Sequence, residues 1–276
     1  SMGRLGQALE FFVPSEDYSY ILYMVKNTAK WQLLNIRGDE VKTSILDLAE
    51  VLPGVEKNIF EGEISYLKWS KNSDRVLIKA VTNEATEWIL VDLRDVKKSL
   101  NLTRTFGLNF MDVEMIDDSA MQLFALENQH LRKINISEQA VSRVLLSGVE
   151  DFAAEGSNIL YVMTNGEGEK RQRTIGVYKD GEKGGTTIAK IKTDDRAKVM
   201  LTKYYDEDYM AFVINDKVTV YYGTLPSYRE NVADTDFLNF KVLLDAEQLS
   251  ITPREISVSE EGEYLAMSDG NKFAVV

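Results

Sequence analysis

The sequence repeats a unit that consists of an apolar strand, a short acidic turn and a second apolar strand. The clearest copy is ISYLKWSKNSDRVLIKAVTNEATEWILVDL, from Ile64 to Leu93. Its strands are rich in Ile, Val, Leu and Trp, and its turns contain Asn, Asp, Ser and Glu, which favours short strands joined by tight turns. A chain of such units is expected to fold as a series of similar sheets.

Six copies of this pattern occur along the chain, and a third strand follows each copy. A fourth strand follows the first five, and the units start roughly 40 to 58 residues apart, close to the spacing of four-stranded propeller blades. We therefore predict an all-β fold, a β-propeller of four-stranded antiparallel blades, with about six blades and the last one incomplete. The predicted blades cover approximately residues 8–50, 62–107, 109–147, 149–193, 197–245 and 253–276. The six turns contain Asp17, Asp74, Asp118, Asn158, Asp206 and Gly262.

The sequence ends within the third strand of the sixth unit. An unfinished blade exposes a strand edge, so we expect that edge to pair with another segment or molecule. Helix is expected only as short turns, at Ile45–Val51 or Asp245–Leu249. Trp31 and Trp88 occupy the same place in successive units, which predicts a repeated core position for both. The pair Gly184-Gly185 lies between two strands, where we attribute it to the backbone freedom of a turn.

Composition excludes several functions. The formal net charge of −12 leaves no basic surface for nucleic acid or for an anionic membrane. Without cysteine there are no disulfides, thiol nucleophiles or thiolate metal sites, and a location outside the cytoplasm is favoured. The single histidine, His130, has no imidazole partner in the sequence and is interpreted as a surface or strand-edge residue rather than a catalytic one.

No apolar run is long enough to cross a membrane, and the start SMGRLGQALEFF lacks the pattern of a signal peptide. We therefore expect no direct membrane insertion by these residues. Ser1 and Met2 are interpreted as residues left by a cloning vector, so an anchor or targeting signal could have been removed.

One motif supports a family resemblance. The stretch Trp69-Ser70-Lys71-Asn72-Ser73-Asp74-Arg75-Val76-Leu77-Ile78 resembles the W-S-P-D-G core of TolB-type, WD-like propeller repeats, with Lys71 in place of Pro and Ser73-Asp74 in place of the Asp-Gly turn. A weaker copy runs from Val258 to Ala266. From Ile64 to about Tyr222 the chain also resembles the propeller of PEGA-domain envelope proteins of small, reduced-genome bacteria. That resemblance implies an extracytoplasmic, membrane-tethered propeller, and it implies no catalytic residues in this sequence.

Motifs for common chemistry are missing from the sequence. There is no G-x-x-x-x-G-K-[ST] loop for nucleotide phosphates and no G-x-S-x-G elbow, so we predict no catalytic residues and no cofactor. The acidic groups Asp194-Asp195, Asp206-Glu207-Asp208, Asp234 and Asp236 fall in predicted turns and do not follow the EF-hand pattern, which favours solvated turns.

A second acidic set lies on the predicted first strands of the blades, which line the central channel of a propeller. If several of these side chains point inward, they form an electronegative funnel for a cation or a basic peptide. The candidates are Glu10, Asp112, Glu114, Glu150, Asp151 and Glu255.

Three functions follow as hypotheses. The first is a non-catalytic extracytoplasmic interaction scaffold that binds a protein or another envelope component. The second is a sensory propeller that binds a cation or small ligand in the acidic funnel. The third is a glycan-active enzyme, which needs two carboxyl groups flanking an open pocket. The sequence favours the first.

Overall fold

The strands form six antiparallel sheets in a computed structural model. The structure describes residues 9–15, 17–25, 31–37, 41–46, 63–81, 86–166, 171–192, 194–204, 207–215, 217–225, 241–246, 253, 255–259, 264–268 and 273–275. Within this part of the chain, four sheets have four strands, the third sheet has five and the sixth has three. Successive strands pair with their neighbours in sequence, because short turns return the chain beside the strand it has just formed; the exception is the last strand of the third sheet, which pairs with the third strand of that sheet.

The strand bounds are as follows. The first sheet contains β1 (Leu9–Pro14), β2 (Tyr20–Val25), β3 (Trp31–Asn35) and β4 (Lys42–Leu46). The second contains β5 (Glu63–Trp69), β6 (Arg75–Val81), β7 (Thr86–Asp92) and β8 (Leu100–Asn101). The third contains β9 (Phe110–Met115), β10 (Gln122–Glu127), β11 (His130–Asn135), β12 (Ala140–Val141) and β13 (Leu146–Ser147).

The fourth sheet contains β14 (Val149–Glu155), β15 (Asn158–Asn165), β16 (Gln172–Lys179) and β17 (Thr186–Ile191). The fifth contains β18 (Ala197–Tyr204), β19 (Glu207–Ile214), β20 (Lys217–Gly223) and β21 (Lys241–Ala246), and the sixth contains β22 (Glu255–Val258), β23 (Leu265–Ser268) and β24 (Phe273–Val275). The predicted fold class, a six-bladed β-propeller built from antiparallel sheets, is confirmed.

Helix occurs where the sequence predicted the fourth strand of the second blade. Only Leu100–Asn101 of that stretch is strand; a 3-10 turn (Val96–Lys98) precedes it and helix α1 (Leu102–Phe106) follows it. The Asn101 side chain accepts a hydrogen bond from the Arg104 N–H at 3.1 Å and so caps α1, and Gly107 ends it with φ at +63°. Of the helical turns expected at Ile45–Val51 and Asp245–Leu249, the described residues are strand: Ile45 pairs with Gln32 and Asp245 with Thr219, and residues 47–51 and 247–249 lie outside the described residues.

The chain divides into two compact units. The first comprises Ser1–Val113, Asp117–Gln122 and Asn135–Ala140, and the second comprises Glu114–Ile116, Leu123–Ile134 and Val141–Val276. In the first unit, one core joins the first two sheets. The first sheet contributes Leu22, Met24, Trp31, Leu33 and Leu46, and the second contributes Trp69, Val76, Ile78, Ala80, Ile89 and Val91.

In the second unit, the fourth sheet packs on both of its faces. Ile159 and Tyr161 of β15 pack against Phe124 and Leu131 of the third sheet. Leu160 and Val162, which alternate with them, pack against Val199, Met210 and Phe212 of the fifth sheet. The fifth sheet then packs against Ile256, Leu265 and Met267 of the sixth. Strand alternation therefore explains why these strands are apolar at nearly every position.

Trp31 and Trp88 are buried, at 1% and 0% exposure, so the prediction of a core role for both is confirmed. The Trp88 indole N–H donates to the carbonyl of Phe110 at 3.1 Å. The explanation offered for Gly185 was wrong, since packing rather than backbone freedom excludes a side chain there. A Cβ on Gly185 would lie 2.1 Å from the Tyr161 hydroxyl, and one on Gly176 would lie 2.4 Å from the Tyr161 ring. None of the described helices is long and apolar enough to span a membrane.

Two left-handed glycines allow a test of backbone packing in the second unit. Gly148 and Gly156 have φ of +77° and +57°, but only at Gly148 would a Cβ meet another backbone atom, the Thr164 carbonyl oxygen, at 2.4 Å. Gly156→Ala should cost about 1 kcal/mol for the left-handed backbone alone. We expect Gly148→Ala to cost about 2 kcal/mol more, because the strand pair must move apart. Urea denaturation measures both, and equal losses would contradict the packing argument.

Candidate functional site

The turns between the first and second strands share a hydrogen-bonded arrangement that we call the serine turn. Ser15, Ser70 and Ser259 follow β1, β5 and β22, and each serine Oγ accepts from the N–H of the fifth residue on, at 2.9 to 3.0 Å. Each serine N–H also donates to the carbonyl of that residue at 2.9 Å. In the third sheet Asp117 replaces the serine, and its Oδ1 accepts from the Gln122 N–H at 3.1 Å.

The third residue after the serine adopts the left-handed conformation. Tyr18, Ser73 and Ala120 occupy this slot with φ of 54°, 57° and 53°. Ser73 therefore stands where the W-S-P-D-G motif has glycine, and Asn72 stands where it has aspartate. The alignment that matched Ser73-Asp74 to the Asp-Gly turn was one residue out of register. The side-chain oxygens agree with the corrected register, because Asp17 Oδ1 accepts from the Ser19 N–H at 3.0 Å and Asn72 Oδ1 from the Asp74 N–H at 3.3 Å.

Neighbouring turns are joined to one another. In the first unit, the Ser73 hydroxyl donates to Asp17 Oδ1 at 2.9 Å, and the Asn72 N–H donates to the Asp118 carbonyl at 3.1 Å. In the second unit, the Asn158 amide approaches Asp208 Oδ1 at 3.4 Å. Three of the predicted turn residues, Asp17, Asp118 and Asn158, therefore join adjacent sheets.

Asp17 is the most heavily hydrogen-bonded of these turn residues. Its oxygens accept from the hydroxyls of Ser15 and Ser19, each at 2.7 Å, and from Ser73, and Arg37 forms an ion pair with it. Desolvation acts to raise the pKa of Asp17, but the hydrogen bonds from Ser19, Ser15 and Ser73 outweigh it and hold the pKa well below its usual range. Asp17 therefore stays ionised and fixes the position of Arg37.

The end of the first sheet that carries this turn exposes several large side chains. We call Tyr18, Ile36, Arg37 and Val41 the tip surface. The Ile36 N–H donates to the Ser19 carbonyl at 2.9 Å, which places Ile36 beside the β1–β2 turn. Tyr18 is 73% exposed, Val41 66% and Ile36 36%. The Arg37 side chain is 57% exposed, although its Nε donates to the Ser19 hydroxyl at 2.6 Å and its guanidinium lies 5.4 Å from the centre of the Tyr20 ring.

A cleft of about 110 Å³ adjoins the tip surface within the first unit. Tyr20, Leu33 and Leu93 supply its apolar wall. Asn72, Ser73 and Asp74 of the second turn supply polar groups, and Arg37 and Arg94 complete the lining. Arg94 lies 3.1 Å from Asp74 Oδ2, and its side chain is 73% exposed.

The acidic residues proposed for a channel lie on the first strands of their sheets, but few of them come together. Asp112 and Glu114 are both half-buried on β9, and Glu150 and Asp151 are half-buried on β14. Glu10 and Glu255 belong to β1 and β22, and their side chains lie outside the described part, as do Asp206, Asp234 and Asp236. Among the described residues, no group of three or more acidic or histidine side chains is arranged to hold a metal ion.

The acidic group that does come together is already neutralised in part. Glu150 accepts from the Thr164 hydroxyl and pairs with Arg173, and Asp151 Oδ2 accepts from the Val199 N–H at 2.8 Å. Burial raises the pKa of Asp151 to about 6, and nearby Glu114 adds to the increase, whereas the Val199 N–H, Lys198 and Arg173 oppose it. Burial also raises the pKa of Asp208, whose Oδ2 accepts from the Leu225 N–H at 3.3 Å.

The sequence did not indicate the tip surface or the cleft. Tyr18 carried a readable signal, since it occupies the slot where the motif has glycine. Arg37 and Arg94 carried none, because only the pairing of β3 and β7 with their neighbours brings them to the second turn. His130, interpreted as non-catalytic, begins β11 and is half-buried.

No protein-family model matches the sequence, and no curated protein matches it. Solved structures with a similar fold include the β-propeller domain of Cps50 (Swd1) from Myceliophteria thermophila, 16% identical, with a TM-score of 0.54 over 99% of this chain and 83% of that one. A complex of KlAtg21 with the coiled coil of AgAtg16 matches with a TM-score of 0.56 at 13% identity, covering 97% of this chain and 80% of that one.

A prolyl endopeptidase also matches, with a TM-score of 0.56 at 12% identity over 95% of this chain and 39% of that one. At these identities the likeness concerns the fold, which is found in enzymes and in binding proteins alike. The predicted resemblance is confirmed at the level of the β-propeller; its finer part, to PEGA-domain proteins, stays a prediction.

Asp17→Asn should lower the melting temperature at pH 7, because the three serine hydroxyls and Arg37 lose a charged acceptor. A depressed pKa adds stability above the unfolded value of about 3.9, and this stability is lost as the pH falls. The difference in melting temperature between the wild type and Asp17→Asn should therefore be smaller at pH 3 than at pH 7. Asp118→Asn, at an exposed turn residue, is the matched control; an equal deficit at both pH values would contradict the account.

The raised pKa of Asp151 gives this residue the opposite effect on the pH dependence of folding stability. Since its pKa is raised to about 6, the folded state binds more protons than the unfolded state between pH 4 and 6, and this group's contribution to stability falls as the pH rises. The Asp151→Asn variant should lack this contribution, so the pH-dependent change in its free energy of unfolding should differ from that of the wild type by on the order of 2 kcal/mol. Urea denaturation at pH 4 and 7 measures it, with the exposed Asp194→Asn as control. An unchanged slope in Asp151→Asn would contradict the assignment.

Proposed function

We propose that this chain is a non-catalytic interaction module that binds a protein partner through the tip surface. The observation that carries the proposal is Tyr18. A non-glycine residue in the left-handed conformation costs about 1 kcal/mol, and the Tyr18 ring, at 73% exposure, recovers little of that cost by packing inside the protein. An aromatic side chain held in an unfavourable backbone position and directed outward is best explained by a contact with another molecule.

The composition of the tip surface supports the same function. Tyrosine and arginine are enriched among residues that dominate binding energy, and aliphatic neighbours exclude water around them. Tyr18, Arg37, Ile36 and Val41 provide this combination at one end of one sheet. Arg37 is held in place by Asp17, Ser19 and the Tyr20 ring, so little side-chain freedom is lost when a partner binds.

The alternative, a cation sensor built on the first-strand carboxylates, has less support. Glu150 is paired with Arg173, and Lys198 and Arg173 both act on Asp151, so the local charge is already compensated. Glycan hydrolysis uses two carboxyl groups across a pocket, whereas the cleft beside the tip surface is lined by one, Asp74. The extracytoplasmic location and the membrane tether belong to the proposal and are supported by the resemblance to PEGA-domain proteins and by the lack of cysteine.

Tyr18→Gly separates binding from stability. Glycine suits the left-handed slot, so the variant should unfold at the same denaturant concentration as the wild type or a higher one. Its capture of a protein partner from an extract of the cells that produce the chain should be lost. The captured protein is then identified, purified and titrated, and we expect its affinity for Tyr18→Gly to fall about tenfold.

Gln139→Gly is the matched control. Gln139 is another exposed non-glycine residue with positive φ, at 47°, and it belongs to the third sheet, whereas the tip surface belongs to the first. This variant should gain stability in the same way and keep the partner. Wild-type affinity in Tyr18→Gly, or an equal loss in Gln139→Gly, would overturn the proposal.

A further inference from the structure

Two hydrogen bonds to carboxylates cross between the fourth and fifth sheets of the second unit. Asp151 Oδ2 on β14 accepts from the Val199 N–H on β18 at 2.8 Å, which links the first strands of the two sheets. The Asn158 amide on β15 approaches Asp208 Oδ1 on β19 at 3.4 Å, which links their second strands. We call these four residues the carboxylate junction. It accompanies the apolar core that the two sheets share.

The charged groups that face Asp151 do not offset the cost of ionising it in this place. Glu114 on β9 is a like charge, whereas Lys198 on β18 and Arg173 on β16 are opposite charges. Arg173 also pairs with Glu150 on β14, so its charge is shared between two carboxylates. Burial outweighs both cations and raises the pKa of Asp151 to about 6. Asp151 therefore becomes charged inside the junction as the pH rises from 4.5 to 7.

Asp208 has similar surroundings at the other end of the junction. It is 3% exposed, and its Oδ2 accepts from the Leu225 N–H at 3.3 Å. Burial raises its pKa, Glu155 on β14 adds to the increase, and Lys203 on β18 opposes it. Both carboxylates of the junction thus resist ionisation because of burial between the same two sheets.

Links between sheets in the first unit are of a different kind. The Arg75 guanidinium donates to the Ser119 carbonyl, which does not titrate. Ser73 donates to Asp17, whose pKa is held well below its usual range, so that Asp17 is ionised throughout the same pH interval. These links keep one charge state where the carboxylate junction changes its own.

We propose that the carboxylate junction is a pH-sensitive joint, which is closed in acidic solution and opens more often as the pH rises toward neutrality. When the two sheets separate locally, water reaches the carboxylates and stabilises their ionised forms, so ionisation favours the open form. Opening also breaks the hydrogen bond from the Val199 N–H and exposes this amide to exchange with solvent. The joint does not depend on the tip surface, which belongs to the first unit.

Amide hydrogen exchange of the full chain, followed by NMR at pH 4.5 and 7, tests the proposal. Each rate is divided by the rate of an unstructured peptide at the same pH. For a carboxyl with a pKa of about 6 in the closed form and about 3.9 in the open form, the population of the open form should rise about twentyfold over this interval. We expect the protection of Val199 to fall by that factor, and to lie below that of Met200, which pairs with Ala211 inside the fifth sheet.

Substitutions assign the effect to the carboxylate. The Asp151→Asn side chain resembles the neutral carboxyl and keeps an oxygen that can accept from Val199, so protection of Val199 should be nearly the same at both pH values. Asp194→Asn is the matched control, because Asp194 is an exposed turn residue, and it should show the fall seen in the wild type.

Two results would overturn the joint. One is equal protection of Val199 and Met200 at both pH values, because the junction would then open only when the fifth sheet unfolds. The other is a fall in protection that persists in Asp151→Asn. If that variant does not fold, Asp208→Asn replaces it with the Leu225 amide as the reporter, and a fall that remains at Leu225 would count against the proposal equally.

Discussion

The structure depends on the need of each sheet to cover two apolar faces. In β15, Ile159 and Tyr161 face one neighbouring sheet while Leu160 and Val162 face the other. Because a single blade exposes both faces, its stability comes from its neighbours rather than from its own strand pairs. The same constraint leaves little room for variation inside the sheets, as the fit of Tyr161 over Gly176 and Gly185 shows. Side chains that can vary to serve a function are therefore found at the ends of the strands.

The serine turn is what keeps those ends in register. A serine whose Oγ and N–H both bond to the fifth residue on closes the hairpin without help from the core. Turn side chains that are not needed to close the hairpin then form hydrogen bonds with the adjacent sheet, as Ser73 does with Asp17. Since the turn backbone is held by these bonds, the side chain in the left-handed slot is left open to vary.

The fold could be predicted from the sequence because strand alternation and turn composition repeat six times. The pattern failed at Leu102–Phe106, where Asn101 and Gly107 provide helix caps inside a stretch with strand-like composition. The site was harder to predict. Acidic residues on the first strands were visible in the sequence, but whether they are neutralised depends on tertiary structure: Arg173 reaches Glu150 within the fourth sheet, and Lys198 reaches Asp151 from the fifth. Arg37 and Arg94 are distant in sequence and meet only because β3 and β7 end at the same cleft.

The three described residues in the left-handed slot show how structure and function separate. Ala120 is fully buried and Ser73 is 2% exposed, so packing and the bond to Asp17 account for both. Tyr18 shares their backbone conformation and lacks their internal contacts. A non-glycine residue that adopts the left-handed conformation without gaining packing or hydrogen bonds for its side chain inside the protein points to a contact with another molecule. Among these three equivalent positions of one fold, Ser73 and Ala120 therefore serve as internal controls, and only Tyr18 has an exposed side chain that contacts inside the protein do not explain.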